Sequence, residues 1–465
     1  MNRYKKLVVN SFIFTIGNLG MKLISLLLIP LYTYYLSTQQ FGTADLVQTT
    51  LNLLYPIFTL SIADAVLRFV MDKSQDKNYV LNNAIVLVLL GNAFAWLLYP
   101  LLNVIFPFNA YLIYLYILLF TQSLNGVMMQ FVKANGQVKI FASIGIIGSV
   151  TILVANILFL VFLHMGISGY LLSLIISDFV SFIILMSIGR VYQHLSISID
   201  FLLIKAMTRY SIPLVPNALM WWIMGVSDRY FITFYLGLGA NGLYAVANKI
   251  PNILSMLNFI FFPAWQISAI EEAKSKSKSA FYSNVFNVLA TGMFVGTSLL
   301  LLFLKPIMRI VISPAFFKAW EYVPFLLVGV IFSTFANFLG TNYIAAKNTI
   351  GIFRTSIYGA AVNVGINVLL LPIMGTLGAS ISTMLSFLVI WLFRIAGTRS
   401  FITINMDIKK LIGNLSLIAL QIVLLYINPP ADALWQFVLF LLLLFINQKE
   451  IKLLYKKGAG LMAKR

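Results

Sequence analysis

The chain of 465 residues has no cysteine, only two histidines and just 13 acidic side chains. The missing cysteine excludes a disulfide framework, thiol chemistry and any Cys-based metal site. His164 and His194 fall in expected loops and are not at ligand spacing, so neither a metal nor another cofactor is expected. Charge of either sign is sparse, at 10% of residues, where a soluble domain carries roughly 25%. What fills the chain is apolar: 61% hydrophobic residues and a mean hydropathy of +0.95. No soluble fold hides that much apolar surface, so the chain reads as an all-α polytopic membrane protein.

A spanning helix needs roughly 20 mostly apolar residues. Fourteen such segments are expected, at 8–36, 44–68, 81–106, 110–132, 140–163, 166–188, 207–236, 243–270, 281–304, 321–343, 354–374, 377–397, 409–428 and 431–447. The first has no small-residue cleavage site after it and reads as a retained helix, not a signal peptide. Alternate loops are basic. One set of loops, with the two ends of the chain, holds 26 of the 32 Lys and Arg, Arg394 among them; the other face has only Lys305, Arg309 and Lys318. Cytoplasmic loops are the ones enriched in Lys and Arg. Both termini are therefore expected in the cytoplasm, and the net charge of +19 reflects topology and lipid headgroups, not nucleic acid. The outer loops are short, so whatever the protein does, it does within the bilayer.

Two correspondences indicate an internal repeat. Tyr35, Leu36 and Gly42 match Tyr235, Leu236 and Gly242; Gln48 and Asn52 match Asn248 and Asn252. Met165-Gly166-x-x-Gly169 matches Met374-Gly375-x-x-Gly378. Each unit has six helices and so keeps its orientation, as in a parallel repeat. The expected organisation is a six-helix bundle at 1–190, a second at 207–400, and two additional helices with a basic tail at 401–465. Repeats of this kind usually place the substrate site between the halves.

Three cations remain inside apolar segments: Lys22, Arg229 and Lys249. A cation near the bilayer centre costs at least about 2.5–3.5 kcal/mol, and such residues face polar cavities and meet a partner. An anionic substrate is the simplest one. On the first segment Ser11, Thr15, Asn18, Lys22 and Ser25 share a helical face. Asn52 on the second, and Asn248 and Asn252 on the eighth, extend a polar lining. The competing reading is ordinary hydrogen-bonded glue between helices. Asp178, midway along the sixth segment, is a candidate for ion coupling or a charge pair; Asp228 has Lys249 as an expected partner; Asp45 sits toward the outer end of its helix. Asp64 and Arg68 are expected to pair at i,i+4. The bound anion best matched to an Arg fork and Lys point charges is a phosphate or pyrophosphate.

Ser227-Asp228-Arg229-Tyr230-Phe231-Ile232, followed by Tyr235-Leu236-Gly237, Gly242-Leu243-Tyr244 and Ala247-Asn248-Lys249-Ile250, resembles the polysaccharide flippases of the MOP superfamily, relatives of lipid II flippases and MATE transporters. The opening from Asn10-Ser11 through Pro30-Leu31 to Phe41-Gly42 resembles that family's first helix pair. The resemblance implies two six-helix bundles around a central cavity and alternating access. It implies export of a polyprenyl-pyrophosphate-linked oligosaccharide across a bacterial cytoplasmic membrane for cell-surface polysaccharide, with membrane lipids, a polysaccharide polymerase and glycosyltransferases as partners. It also implies cations on the first helix and on helices 7 and 8, the places of Lys22, Arg229 and Lys249. Rivals are a lipid II or teichoic-precursor flippase, and a cation-coupled multidrug exporter, which would want acidic lumen residues. A membrane enzyme would want a catalytic loop or clustered acids and histidines.

Overall fold

A computed structural model of the chain describes residues 20–72, 75–196, 199–272, 278–345, 349–399 and 402–452. Ser11, Thr15 and Asn18 of the first polar stripe lie outside them. The described residues are helical, without a β-strand. Among the described residues, nine helices are long and apolar enough to cross a membrane, or up to eleven if two bent pairs each count once. The fourteen expected segments are consistent with this: each is helical in its described part.

The chain divides into two compact units, residues 1–233 with 237–242, and residues 234–236 with 243–465. The first begins with α1 (20–35) and α2 (Thr38–Thr59). Ser37 and Gln40 close a capping box at the start of α2: the Ser37 hydroxyl accepts from the Gln40 amide at 3.2 Å, and the Ser37 amide donates to Gln40 Oε1 at 2.9 Å. Near the other end Pro56 brings no N–H to the Asn52 carbonyl. The chain then turns through Leu60 and Ser61, both left-handed at φ 51° and 52°, and resumes as α3 (Ile62–Val70), bent by 55° from α2. A left-handed residue other than glycine costs about 1–3 kcal/mol, so nothing in the sequence marked this break inside the expected span 44–68. Next come α4 (Lys77–Leu97), α5 (Tyr99–Ile105), α6 (Leu112–Ala134), α7 (Val138–Asn156) and α8 (Gly166–Ser187). The expected span 207–236, with the residues just before it, falls into three helices, α9 (Phe201–Ser211), α10 (Leu214–Val226) and α11 (Asp228–Leu236), with Pro213 at the first break.

The second unit contains the second half of α12 (Leu238–Ala247), then α13 (Lys249–Glu272), α14 (Lys278–Leu302), α15 (Leu304–Val311), α16 (Val323–Ala345), α17 (Thr349–Met374) and α18 (Thr376–Thr398). Its core is aromatic. Trp265 stacks on Phe338 at 4.4 Å between ring centres, with Phe286, Phe335 and Trp391 beside them. The repeat now has a physical reason. Gly166 and Gly375 both adopt positive φ, 56° and 59°, where only glycine is unstrained. Three residues on, a Cβ on Gly169 would meet Phe159 at 2.8 Å, and one on Gly378 would meet the Leu370 backbone at 2.7 Å. Both bundles thus fold the same tight corner, into which only glycine fits.

Arg394 departs from its expected place among the cytoplasmic loop cations. It is 3% exposed, inside α18, and donates to the Ala336 carbonyl at 2.7 Å, Thr355 Oγ1 at 3.1 Å and Ser356 Oγ at 3.4 Å. Gly340 clears its path, since a Cβ there would stand 2.7 Å from Arg394 Nη1. A guanidinium can be held in this way by neutral dipoles from two neighbouring helices. Arg394 is therefore a structural tie of the second bundle.

The last two helices, α19 (Ile408–Ile427) and α20 (Asp432–Ile446), pack on α14 through buried amides. Asn414 and Asn447 bond each other reciprocally at 2.8 and 3.2 Å, and Thr291 donates to Asn447 Oδ1 at 3.0 Å. One layer away, Gln436 and Gln421 exchange bonds to each other's carbonyls at 2.9 and 3.4 Å. At the far end of α19, Lys305 caps the helix, donating to the Leu425 carbonyl at 2.7 Å and Asn428 Oδ1 at 2.8 Å, above the Trp320 ring. Each such bond between membrane helices is worth up to about 1–2 kcal/mol. Asn447→Leu removes the shared partner of Asn414 and Thr291. Hydrogen exchange across 408–446 is expected to rise at least about tenfold, the equivalent of 1.4 kcal/mol. Exchange in α4 and α6 should stay unchanged; equal protection in the variant would show that apolar packing alone holds the hairpin.

Candidate functional site

The first unit contains a polar seam between α2 and α10–α11. Asp45, Thr49 and Thr50 lie within about one and a half turns of α2, since a turn is 3.6 residues. The seam is closed from the other side by Trp222, Arg229 and Tyr230. Arg229 Nε donates to Asp45 Oδ2 at 2.6 Å. Trp222 Nε1 donates to the Thr49 carbonyl at 2.9 Å, and the Tyr230 hydroxyl pairs with Thr50 Oγ1. The Trp222 and Tyr230 rings lie 5.7 Å apart. The ion pair is well shielded: the two side chains are 11% and 14% exposed. A charge-assisted bond of this length is about twice as strong as a neutral one. Asp228, beside Arg229, is buried at the N-terminus of α11, where the helix dipole favours a carboxylate.

The other candidate residues fall as follows. In the first unit Lys22 is exposed on α1, and Asn52 is exposed on α2. In the second, Lys249 opens α13 and is half-buried. Asn248 occupies the break between α12 and α13 and donates to the Tyr244 carbonyl at 2.8 Å. Asn252 is exposed one turn further on, the same exposure as its repeat partner Asn52. Asp178 on α8 receives the Thr121 hydroxyl at 2.9 Å, and Asn125 donates to its carbonyl at 2.7 Å. Asn156 is fully buried and bonds Ser173 at 2.7 Å and Tyr32 at 3.3 Å, as helix glue. Asp64 and Arg68 form no ion pair. His194 Nδ1 donates to Asn78 Oδ1, 2.6 Å away.

Sequence reasoning named Asp45 and Arg229 separately and missed that they meet. It passed over Thr49 and Thr50. The available signal was an acid and a cation both inside apolar segments, each needing a partner. No group of three potential metal ligands occurs among the described residues.

The first half of α12, residues 238–242, also belongs to the first unit and explains two repeat-matched glycines. Asn241 donates to the Gly42 carbonyl at 2.8 Å. A Cβ on Gly42 would fall 1.9 Å from the Leu238 carbonyl oxygen, and one on Gly242 1.9 Å from the Thr38 carbonyl oxygen. The α2 backbone and the 238–242 backbone touch there directly.

A family model described as polysaccharide biosynthesis protein matches residues 7–270, more than half the chain. The chain belongs to that family. An uncharacterized membrane protein of Methanocaldococcus jannaschii is 30% identical over 182 residues, 37% of this chain and 35% of that protein. The match thus spans about a third of that relative's length. The solved structure of lipid II flippase MurJ in an inward closed conformation is similar at TM-score 0.72 and 13% identity, over 97% of this chain and all of that one. An inward-facing multidrug resistance MATE family transporter of the MOP superfamily is similar at TM-score 0.69 and 13% identity, over 82% of this chain and 95% of that one. This member of the polysaccharide biosynthesis family is therefore a multi-pass membrane protein with the fold of MOP transporters.

Proposed function

We propose that the protein is a flippase that carries a polyprenyl-pyrophosphate-linked oligosaccharide from the cytoplasmic to the outer leaflet of a bacterial cytoplasmic membrane, with both termini in the cytoplasm. The observation that carries the reading is the shielded Arg229–Asp45 pair in a polar seam of a MOP-type fold, in a chain whose family makes polysaccharide. Lys22, Arg229 and Lys249 compensate the pyrophosphate. Asn52, Asn248 and Asn252 bond the sugar, and the polyprenyl tail stays in the bilayer. Pyrophosphate carries more negative charge than one carboxylate, so it competes with Asp45 for Arg229. Asp45 recovers the guanidinium once the headgroup leaves, and the cavity resets without a bare cation in the membrane. Without such contacts, moving a charged, hydroxylated headgroup through hydrocarbon would cost many kcal/mol.

Lys22 gives the cleanest test, because its exposed side chain is no part of the packed core. In proteoliposomes, flipping of a fluorescent polyprenyl-pyrophosphate oligosaccharide is expected to fall at least about tenfold in Lys22→Ala, or 1.4 kcal/mol of barrier. Lys22→Arg should retain most of the rate. Equal rates in Lys22→Ala and the natural chain would sink the cationic-cavity mechanism. Lipid II and a teichoic-acid precursor, added as unlabelled competitors, rank the alternative cargoes.

A further inference from the structure

A cleft of about 440 Å³ opens, on the side expected to be outer, between the start of α2, residues 107–111 before α6, and Ile167 and Leu238 at the starts of α8 and α12. Small-molecule sites commonly occupy about 300–1,000 Å³. Its polar walls are Ser37, Gln39, Gln40 and Thr43 at the start of α2, and Asn109 in the turn before α6; Phe108 and Tyr111 add ring surface. No Lys, Arg, Asp, Glu or His stands among the described residues that line it.

The hydrogen bonds already made define what is left for a ligand. The capping box of Ser37 and Gln40 occupies two of the orphan amides of the α2 N-terminus, those of Ser37 and Gln40. Asn109 Oδ1 accepts from the Ala110 amide at 2.8 Å, so its side chain is oriented with the NH₂ group remaining to donate. The Thr43 hydroxyl donates to the Gln39 carbonyl at 2.8 Å and keeps its oxygen lone pairs as acceptors. The Gln39 amide is exposed and offers both donor and acceptor. Neutral donors and acceptors beside aromatic faces match the hydroxyl and C–H groups of an uncharged sugar. An acidic sugar would bring an anion to a wall with no cation. The cleft also lies on the helix that holds the charge pair. From Gln39 to Asp45 is six residues, or about 9 Å along α2 at 1.5 Å per residue. A glycan attached to a pyrophosphate near Arg229 would reach it.

We propose that this cleft is a subsite for a neutral saccharide unit, which receives the glycan on the outer side as the headgroup leaves the charge pair. The assignment rests on the flippase reading and its orientation. The test is binding of two soluble trisaccharides to the full-length protein in lipid nanodiscs by saturation-transfer NMR: triacetylchitotriose, which is neutral, and trigalacturonate, which is anionic. Triacetylchitotriose is expected to bind, and Gln39→Ala and Asn109→Ala to weaken it at least about fivefold each. Both side chains are exposed, and size exclusion verifies that the variants fold. Trigalacturonate should bind at least about tenfold more weakly. No binding of triacetylchitotriose, equal binding by natural chain and variants, or preference for trigalacturonate overturns the assignment. The flipping assay is read separately. Flipping without Asn109-dependent trisaccharide binding removes the subsite and leaves the flippase reading. Asn109-dependent binding without flipping does the reverse.

Discussion

Gly42→Ala and Gly242→Ala are each expected to cut the yield of folded, monodisperse protein at least about tenfold. The reason is steric and leaves no easy escape. The added methyl would lie 1.9 Å from a carbonyl oxygen in both cases, and at Gly42 also 2.7 Å from the Gly242 amide nitrogen. These neighbours are backbone atoms, so no side chain can rotate away. The two segments would have to separate by more than 1 Å, and the 2.8 Å bond from Asn241 to the Gly42 carbonyl would go with it. Overpacking typically costs about 1–3 kcal/mol; with a buried hydrogen bond lost as well, the upper end is expected. Gly292→Ala is the control. It lies within α14 with nothing within 4 Å of its added methyl, and alanine gains about 0.8–1.0 kcal/mol over glycine in a helix interior. Size-exclusion profiles and thermal midpoints in one detergent decide the matter. A Gly42→Ala protein as stable as the natural chain would mean that the segments do not touch in the membrane.

The repeat was legible because it is written in residues with few substitutes. Gly42 and Gly242 are both needed where two backbones touch, and Gly166, Gly169, Gly375 and Gly378 where a corner is tight. Spans were legible because apolar length is a direct requirement of the bilayer. The break at Leu60 and Ser61 was not, because both residues occur freely in helices and only tertiary packing holds them left-handed. Arg394 read as a loop cation because its acceptors, Ala336, Thr355 and Ser356, are neutral and distant in sequence. For the same reason Asp178 had no visible partner: Thr121 and Asn125 lie on another helix. Periodicity reports which face is polar, while the choice of partner is settled by packing between helices.

Asp45→Ala and Arg229→Ala are expected to lower stability and to abolish flipping, and combined variants separate the two effects. Removing one partner of a shielded ion pair leaves the other uncompensated, at a cost of about 3–5 kcal/mol. Both side chains are more than four-fifths buried, at 14% and 11% exposed, so water offers little relief. Replacing both with neutral groups, Asp45→Asn with Arg229→Gln, removes the stranded charge. The double variant should recover most of the thermal midpoint lost by either single one. If Arg229 meets the pyrophosphate, transport does not recover with it and stays at least about a hundredfold down, or 2.7 kcal/mol of barrier. The exchanged pair, Asp45→Arg with Arg229→Asp, should likewise fold better than either single variant, while placing the cation on the wrong helix for the cargo. Arg229→Lys retains charge, loses the planar fork, and should flip at an intermediate rate. Natural flipping rates in the double neutral variant would make the pair a structural tie and leave Lys22 and Lys249 to carry the anion. Loss of rate in a double variant whose stability has returned comes from the missing pair acting on the lipid that crosses, and an intermediate rate in Arg229→Lys assigns it to the guanidinium.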